Sequence, residues 1–235
     1  MGFQFGGAPA ALVAHVVEAI PTLVPLDVAR LTVDLLRPVP IQPIEARAQV
    51  RREGKRVQVV DVSLFADNVE VVTARALRLR RGDLAGIELP GGASRVGPPA
   101  VPAYEHTSPL QANQVGTGMR GVLEYALTPG HQIFVDPTWV RLAIPLVDDD
   151  PLTPLERMAY VADSCSGFGH PFGQPITGIN ADLSLSVVRP CEGEWLCIEG
   201  TGWTSELGIG MSQVTLSDER GVVGGVSLSR LVDRQ

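Results

Sequence analysis

Lysine is almost absent from this 235-residue chain: Lys55 is the only one, and arginine supplies every other basic side chain. Acidic residues outnumber basic ones 26 to 19, for a net charge of −7 and an isoelectric point near 5.1. A chain of this balance repels a phosphate backbone, so nucleic acid is not an expected partner; a small anion held by local arginines is still compatible. Charged residues make up only 19% against 45% hydrophobic ones, which argues for a packed core and against disorder. Long apolar runs are missing too. None approaches the roughly 18 to 20 residues that span a bilayer. Residues 1–20 lack a basic leader segment and a small-residue cleavage site, and Glu18 interrupts them. The expectation is a cytoplasmic protein with no membrane span. Cysteine is scarce and odd in number. Cys165, Cys191 and Cys197 have no metal-ligand spacing and read as reduced, buried thiols. No metal or redox cofactor is implied. The Gly-x-Ser-x-Gly nucleophile elbow is also lacking: Ser164-Cys165-Ser166-Gly167 lies at a helix end, so Cys165 reads as core.

What the chain does have is a repeat. Leu31–Pro38 is an alternating strand ending in Arg37-Pro38, and Ala181–Pro190 ends the same way in Arg189-Pro190. An apolar helical stretch precedes each strand, and three more strand-like runs follow it. In the first half, residues 7–20 read as a helix that is apolar on most faces and therefore buried, with Pro9 in its first turn and Pro21 beyond its end. Strands are expected at about 28–37, 44–53, 56–66 and 69–80. Residues 82–120 carry Pro90, Pro98, Pro99, Pro102 and Pro109 without a sustained period, and read as a connection. In the second half, 122–127 and 133–146 read as strands. Thr153-Pro154-Leu155-Glu156 is a capping box opening a helix to Gly167. Four strands are expected after it, at about 177–189, 194–204, 208–216 and 222–233. The domain organisation is thus 1–81, a connection at 82–120, and 121–235. The fold class is α+β, with one helix against an antiparallel sheet in each half.

These residues resemble a known family. Phe5-Gly6-Gly7 before a buried helix, then Leu36-Arg37-Pro38, resembles the N-terminal half of acyl-CoA thioesterase II proteins. Ala159–Asp163, Ile179–Leu183, Arg189-Pro190, Glu194-Trp195-Leu196 and Asp218–Gly221, in that order, resemble the actinobacterial thioesterase-like superfamily. The resemblance covers roughly 3–80 and 121–233. It implies a double hot-dog fold, with two long helices each packed on a curved antiparallel sheet. It also implies hydrolysis of an acyl-CoA or acyl-carrier thioester, with coenzyme A as part of the substrate and no other cofactor. Water would be directed by an aspartate, a threonine or asparagine, and a glutamine, with amide dipoles at the oxyanion.

Carried onto this chain, the aspartate is Asp163, which lies in an apolar helical stretch and must be exposed, paired or functional. The polar partner is Asn180. The glutamine position falls on Leu228, or on Ser229 if the register slips by one; serine is the member that could hydrogen-bond a water. Gly6 and Gly7 are the candidate substrate-binding amides, or else a close-packing device. Arg37 and Arg189, repeated at equivalent strand ends, read as structural. His15 reads as a core or interface histidine. Trp139, Trp195 and Trp203 fall in expected strands, where tryptophan is usually core. Relatives carry a strand or more before Phe-Gly-Gly; loss of that strand would expose a sheet edge in the first half, the alternatives being a simply short start or an edge covered by residues 82–120. Sheet edges in this fold pair, which leads to the expectation of a homodimer or larger. Two alternatives stay open: a non-catalytic thioester binder, and a hydratase or dehydratase using an Asp–His pair.

Overall fold

The computed structural model describes residues 2–87, 100–101, 122–148, 150–170 and 174–234. The proline-rich connection, with His106 and most of 82–120, lies outside the described residues. Helix α1 spans Gly7–Glu18 and helix α2 spans Pro154–Ser164, continued by one 3-10 turn at Cys165–Gly167. At 12 and 11 residues these are three-turn helices, not long ones. The helix at 154 starts on its capping box. The Thr153 hydroxyl accepts the Glu156 amide at 3.1 Å, and the Glu156 carboxylate accepts the Thr153 amide at 2.8 Å. α1 buries Ala10, Ala11, Val13, Ala14 and Val17; these small side chains let it lie close against α2.

Eleven strands form one sheet: β1 Leu26–Leu35, β2 Glu45–Arg52, β3 Val57–Ala66, β4 Val69–Arg80, β5 Leu123–Ala126, β6 Thr138–Leu142, β7 Ile176–Asn180, β8 Asp182–Val187, β9 Leu196–Thr204, β10 Ile209–Asp218 and β11 Gly221–Arg234. Their order is β2-β3-β4-β1-β8-β11-β10-β9-β6-β5, with β7 paired to β11. Every pairing is antiparallel. The β3–β4 hairpin turns on Asp67 and Asn68, both at positive φ, as a two-residue type I′ turn requires. The strand expected over 133–146 shrinks to β6. Trp195 lies just before β9, and Trp203 is 55% exposed on its outer face; of the three tryptophans only Trp139 is fully in the core.

The two strands that announce the repeat pair with each other. β1 runs antiparallel to β8, with Leu31 opposite Leu185 and Val33 opposite Leu183, so the halves share one sheet and one apolar core. The last two strands of each copy match in position: β3 and β4 start at 57 and 69, β10 and β11 at 209 and 221, an offset of 152. Even an irregularity is copied. β1 carries one extra residue, Ala29, between Val28 opposite Arg78 and Arg30 opposite Leu77. At the equivalent place Ala181 splits the expected 177–189 strand into β7 and β8. From Asn180 to Ser184 the chain advances four residues, while β11 advances three between the partners Arg230 and Ser227. Such a bulge flips the side-chain alternation beyond it. In the second copy β6 and β5 extend the sheet past β9. In the first, β2 is the edge, exposed along its length and studded with Glu45, Arg47, Arg51 and Arg52, charges that discourage pairing.

Candidate active site

Asp163 occupies the last turn of α2 and is 1% exposed. Its carboxylate is held from three sides. The Asn180 side-chain amide donates to it, and the backbone amides of Gly6 and Gly7, at the start of α1, donate from the neighbouring helix. Burial pushes the carboxyl up to about 6, against the opposite pull of these three donors. Glycine is required there by close approach. A Cβ on Gly6 would stand 2.6 Å from an Asp163 oxygen, and one on Gly7 would stand 2.5 Å from the Tyr160 backbone carbonyl. The two glycine amides, candidates for substrate binding from sequence, are thus engaged with the carboxylate. Gly6 also borders the cavity.

That cavity has a volume of about 590 Å³. Apolar walls come from Phe5, Leu35, Val39 and Phe134, and polar groups from Asp163, Asn180, Ser166, His170 and Arg230. It lies where α1, α2, the end of β1 and the β7–β11 pair meet, so both halves of the chain build it. The bulge at Ala181 matters here. Along β8, Ser184 and Ser186 face outward; uninterrupted alternation would put Asn180 with them. The extra residue turns Asn180 inward to Asp163.

The third position differs from expectation. Leu228 is buried in the core, and neither it nor Ser229 borders the cavity. Ser229 is exposed on the outer face, where its backbone amide donates to Asp182 at 2.7 Å. The structure does not bring the Ser229 side chain to Asp163 and Asn180. The inward residue beside Asn180 is Arg230, directly opposite it in the ladder. Sequence reasoning passed over Arg230, although Val226, Leu228, Arg230 and Val232 form one alternating buried set. His170, which follows α2, borders the same cavity; burial, then the charge of Arg230, lowers its proton affinity.

The repeated arginines part company. Arg189 clamps the buried Asp218 at 2.5 and 2.6 Å and closes the β10–β11 turn, a structural pair. Burial alone would raise the Asp218 carboxyl, but Arg189 and the Glu192 and Arg220 amides hold it below its ordinary value. Arg37 is exposed at the rim of the cavity and makes no ion pair among the described residues. His15 is an interface histidine: its Nδ1 lies 2.7 Å from Glu156, tying α1 to the start of α2. The three cysteines are buried and free. Among the described residues, no helix is long and apolar enough to cross a membrane.

Residues 1–79 match the family model of the acyl-CoA thioesterase N-terminal domain, and residues 98–227 that of the C-terminal domain. No curated protein matches the sequence. Solved structures similar to this chain include a protein described as a thioesterase from Novosphingobium aromaticivorans, at 20% identity and TM-score 0.73, covering 97% of this chain and 87% of that one. A hot-dog-fold protein of unknown function from Alicyclobacillus acidocaldarius has 18% identity and TM-score 0.71, with 98% and 88% covered. An acyl-CoA thioesterase II from Mycobacterium marinum has 18% identity and TM-score 0.70, with 100% and 91% covered. At these identities the structures establish the likeness of fold alone.

Proposed function

Because the chain belongs to the acyl-CoA thioesterase family, matched over both its N-terminal and C-terminal domains, we propose that it is a double hot-dog enzyme that hydrolyses an acyl-CoA thioester at Asp163. The observation that carries this reading is a buried carboxylate, bordering a cavity and hydrogen-bonded by Asn180. Asp163 takes a proton from a water molecule as the water oxygen attacks the thioester carbonyl carbon. The tetrahedral intermediate collapses, the C–S bond breaks, and the proton on Asp163 passes to the departing thiolate. The products are a carboxylic acid and free coenzyme A. Asn180 and the Gly6 and Gly7 amides keep the carboxylate ionisable despite its burial; in this reading the glycines serve the base rather than the oxyanion. Arg37 at the rim is a cation available to the coenzyme A phosphates, which an acidic protein would otherwise repel.

A second reading, a thioester binder without turnover, is favoured by the third position. Leu228 cannot order a water, Ser229 faces away, and Arg230 only donates, so it cannot accept from one. One experiment separates the two. Purified protein is given acyl-CoAs of several chain lengths while thiol release and binding are both followed. Release that is lost in Asp163→Ala supports the enzyme; tight binding with release at background supports the binder.

Self-association through a second copy is part of the proposal. Trp203, Met211, Ile209, Leu231 and Ile179 are exposed and adjacent across the outer face of β9, β10, β11 and β7.

A further inference from the structure

Two buried arginines sit at equivalent places in the two copies. Arg78 on β4 and Arg230 on β11 are 152 residues apart, the offset of the repeat. Arg78 Nη1 donates to the Val17 and Ile20 carbonyls at 3.3 and 2.8 Å, at the C-terminal end of α1. Arg230 Nη1 donates to the Ser166 and Phe168 carbonyls, in and just after the 3-10 turn that continues α2. Neither makes an ion pair with a carboxylate among the described residues, and each leaves its buried Nε without a hydrogen-bond partner there. A bare guanidinium is costly to bury. Its gain here is to satisfy the orphan carbonyls of a helix end and to set a positive charge against the negative end of the helix dipole.

The copies differ in what surrounds that arginine. Beside Arg78 stand Val28, packed in the core, and Gln58, whose side-chain oxygen accepts from Arg78 at 3.1 Å. Beside Arg230 the equivalent positions are Asn180 and Gly210. A Cβ on Gly210 would stand 3.1 Å from Arg230 Nη2 and 3.0 Å from the Thr204 hydroxyl, so any side chain there would have to push these groups aside. Arg230 borders the Asp163 cavity; Arg78 does not. The orphan Nε is common to both twins, so it reflects the helix-end clamp and not a missing ligand.

We infer that Arg230 is a positioning residue for the site. It pins the 3-10 turn that continues α2, just beyond Asp163, to the strand that pairs with Asn180, and its charge offsets the helix end that would otherwise disfavour the Asp163 carboxylate. Arg78 does the same structural work on α1 with no site attached. The ionisable groups around Asp163 are Tyr160 and Cys165 on its own helix and its continuation, His170 after it, and Arg230 on β11. α1 and β7 present only neutral donors, the Gly6 and Gly7 amides and Asn180. On β8, Asp182 is held by the Ser229 amide.

The inference rests on Asp163 being the base, so its test is read without substrate. Aspartate carboxyl carbons are labelled, the Asp163 resonance is assigned by its loss in Asp163→Asn, and its titration is followed by NMR. The variants are Arg230→Met, Arg230→Lys and Arg78→Met, with thermal unfolding of each recorded alongside. Both methionine variants are expected to unfold at lower temperature. Only Arg230→Met should raise the Asp163 midpoint, by about half to one pH unit. Arg230→Lys keeps the charge but not the planar fork, and should hold the midpoint near the parent value while still losing stability. An unmoved midpoint in Arg230→Met, or an equal rise in Arg78→Met, overturns the inference. If Arg230→Met does not fold, a midpoint in Arg230→Lys that rises as far as the methionine variant was expected to also overturns it. Failure of the parent protein to hydrolyse any thioester would sink the enzymatic reading and leave the titration result standing.

Discussion

Asp163 carries a consequence for stability at the scale of a single residue. Its carboxyl is pushed from an ordinary 3.8 up to about 6 in the folded chain, first by burial. Below pH 4 both folded and unfolded chains hold this proton and nothing is lost. Between about 4 and 6 the unfolded chain ionises while the native one does not, so native stability falls as pH rises, by up to about 3 kcal/mol above pH 6. Asp163→Asn removes that penalty. Urea unfolding at pH 7.5 should find the asparagine variant more stable than the parent by about 1–3 kcal/mol, with the gap closing at pH 4. A functional carboxylate held at the expense of stability behaves this way; one whose neutralisation destabilises the protein at pH 7.5 would not. Arg37 supplies the second residue-scale prediction. Arg37→Glu should raise KM for acyl-CoA several-fold, leave kcat within about twofold, and leave a short thioester lacking the nucleotide unaffected. A kcat loss with KM unchanged would place Arg37 elsewhere in the mechanism. Asp163 stands out in the sequence as a carboxylate in an apolar helix, whereas Asn180 is indicated only by the family resemblance. The sequence did not distinguish Arg37 from Arg189, because what separates them is Asp218 in the buried turn, a contact without a local signature.

At the scale of the element, the most legible feature was the start of α2. Threonine, proline and glutamate at the N-cap, N1 and N3 positions predict a helix from 154, and both reciprocal hydrogen bonds are present. Thr153→Ala should cost about 1 kcal/mol of unfolding free energy, measured by denaturant titration. A larger loss is expected if the Thr153 hydroxyl's 2.6 Å bond to Glu18 also contributes; a neutral result would mean the cap does not limit α2. Strand limits in the first half were readable to within two residues from β-branched alternation and turn chemistry. The single 177–189 strand was not, because a bulge has no compositional mark: Ala181 is an ordinary residue, and only pairing with β11 reveals that it is the extra one. The family glutamine position, taken from the stretch after the Asp218–Gly221 turn, falls on Leu228 or Ser229; the side chain that shares a face with Asn180 across the bulge belongs to Arg230.

At the scale of the whole molecule, the repeat read from two Arg-Pro strand ends becomes a joint, since those strands pair antiparallel and set the two copies about an approximate twofold. Each copy keeps a helix, the bulge and a buried arginine beneath the helix end. The second copy alone has Asp163 and Asn180, and the first closes the cavity with Phe5, Gly6, Leu35 and Val39. Two surfaces remain. The charged edge β2 should resist pairing, and the apolar outer face of β9, β10, β11 and β7 should join a second copy. Light scattering at micromolar concentration should return twice the chain mass, and Ile209→Asp should halve it. A monomer in the parent protein would contradict this surface. The outer-face patch was not legible as such, because alternation tells which residues share a face but not whether that face meets solvent.

The central claim is that a single buried carboxylate in the second copy directs water at a thioester. The direct measurement is kcat/KM for free-thiol release from acyl-CoA between pH 4.5 and 8.5, in the parent and in Asp163→Asn. The account predicts a parent rate that climbs about tenfold per pH unit below a midpoint near 6 and is flat above it, because the base acts only when ionised. In the asparagine variant it predicts a fall of at least a hundredfold. A parent rate without that limb, or an asparagine variant that still turns over at a comparable rate, would contradict it.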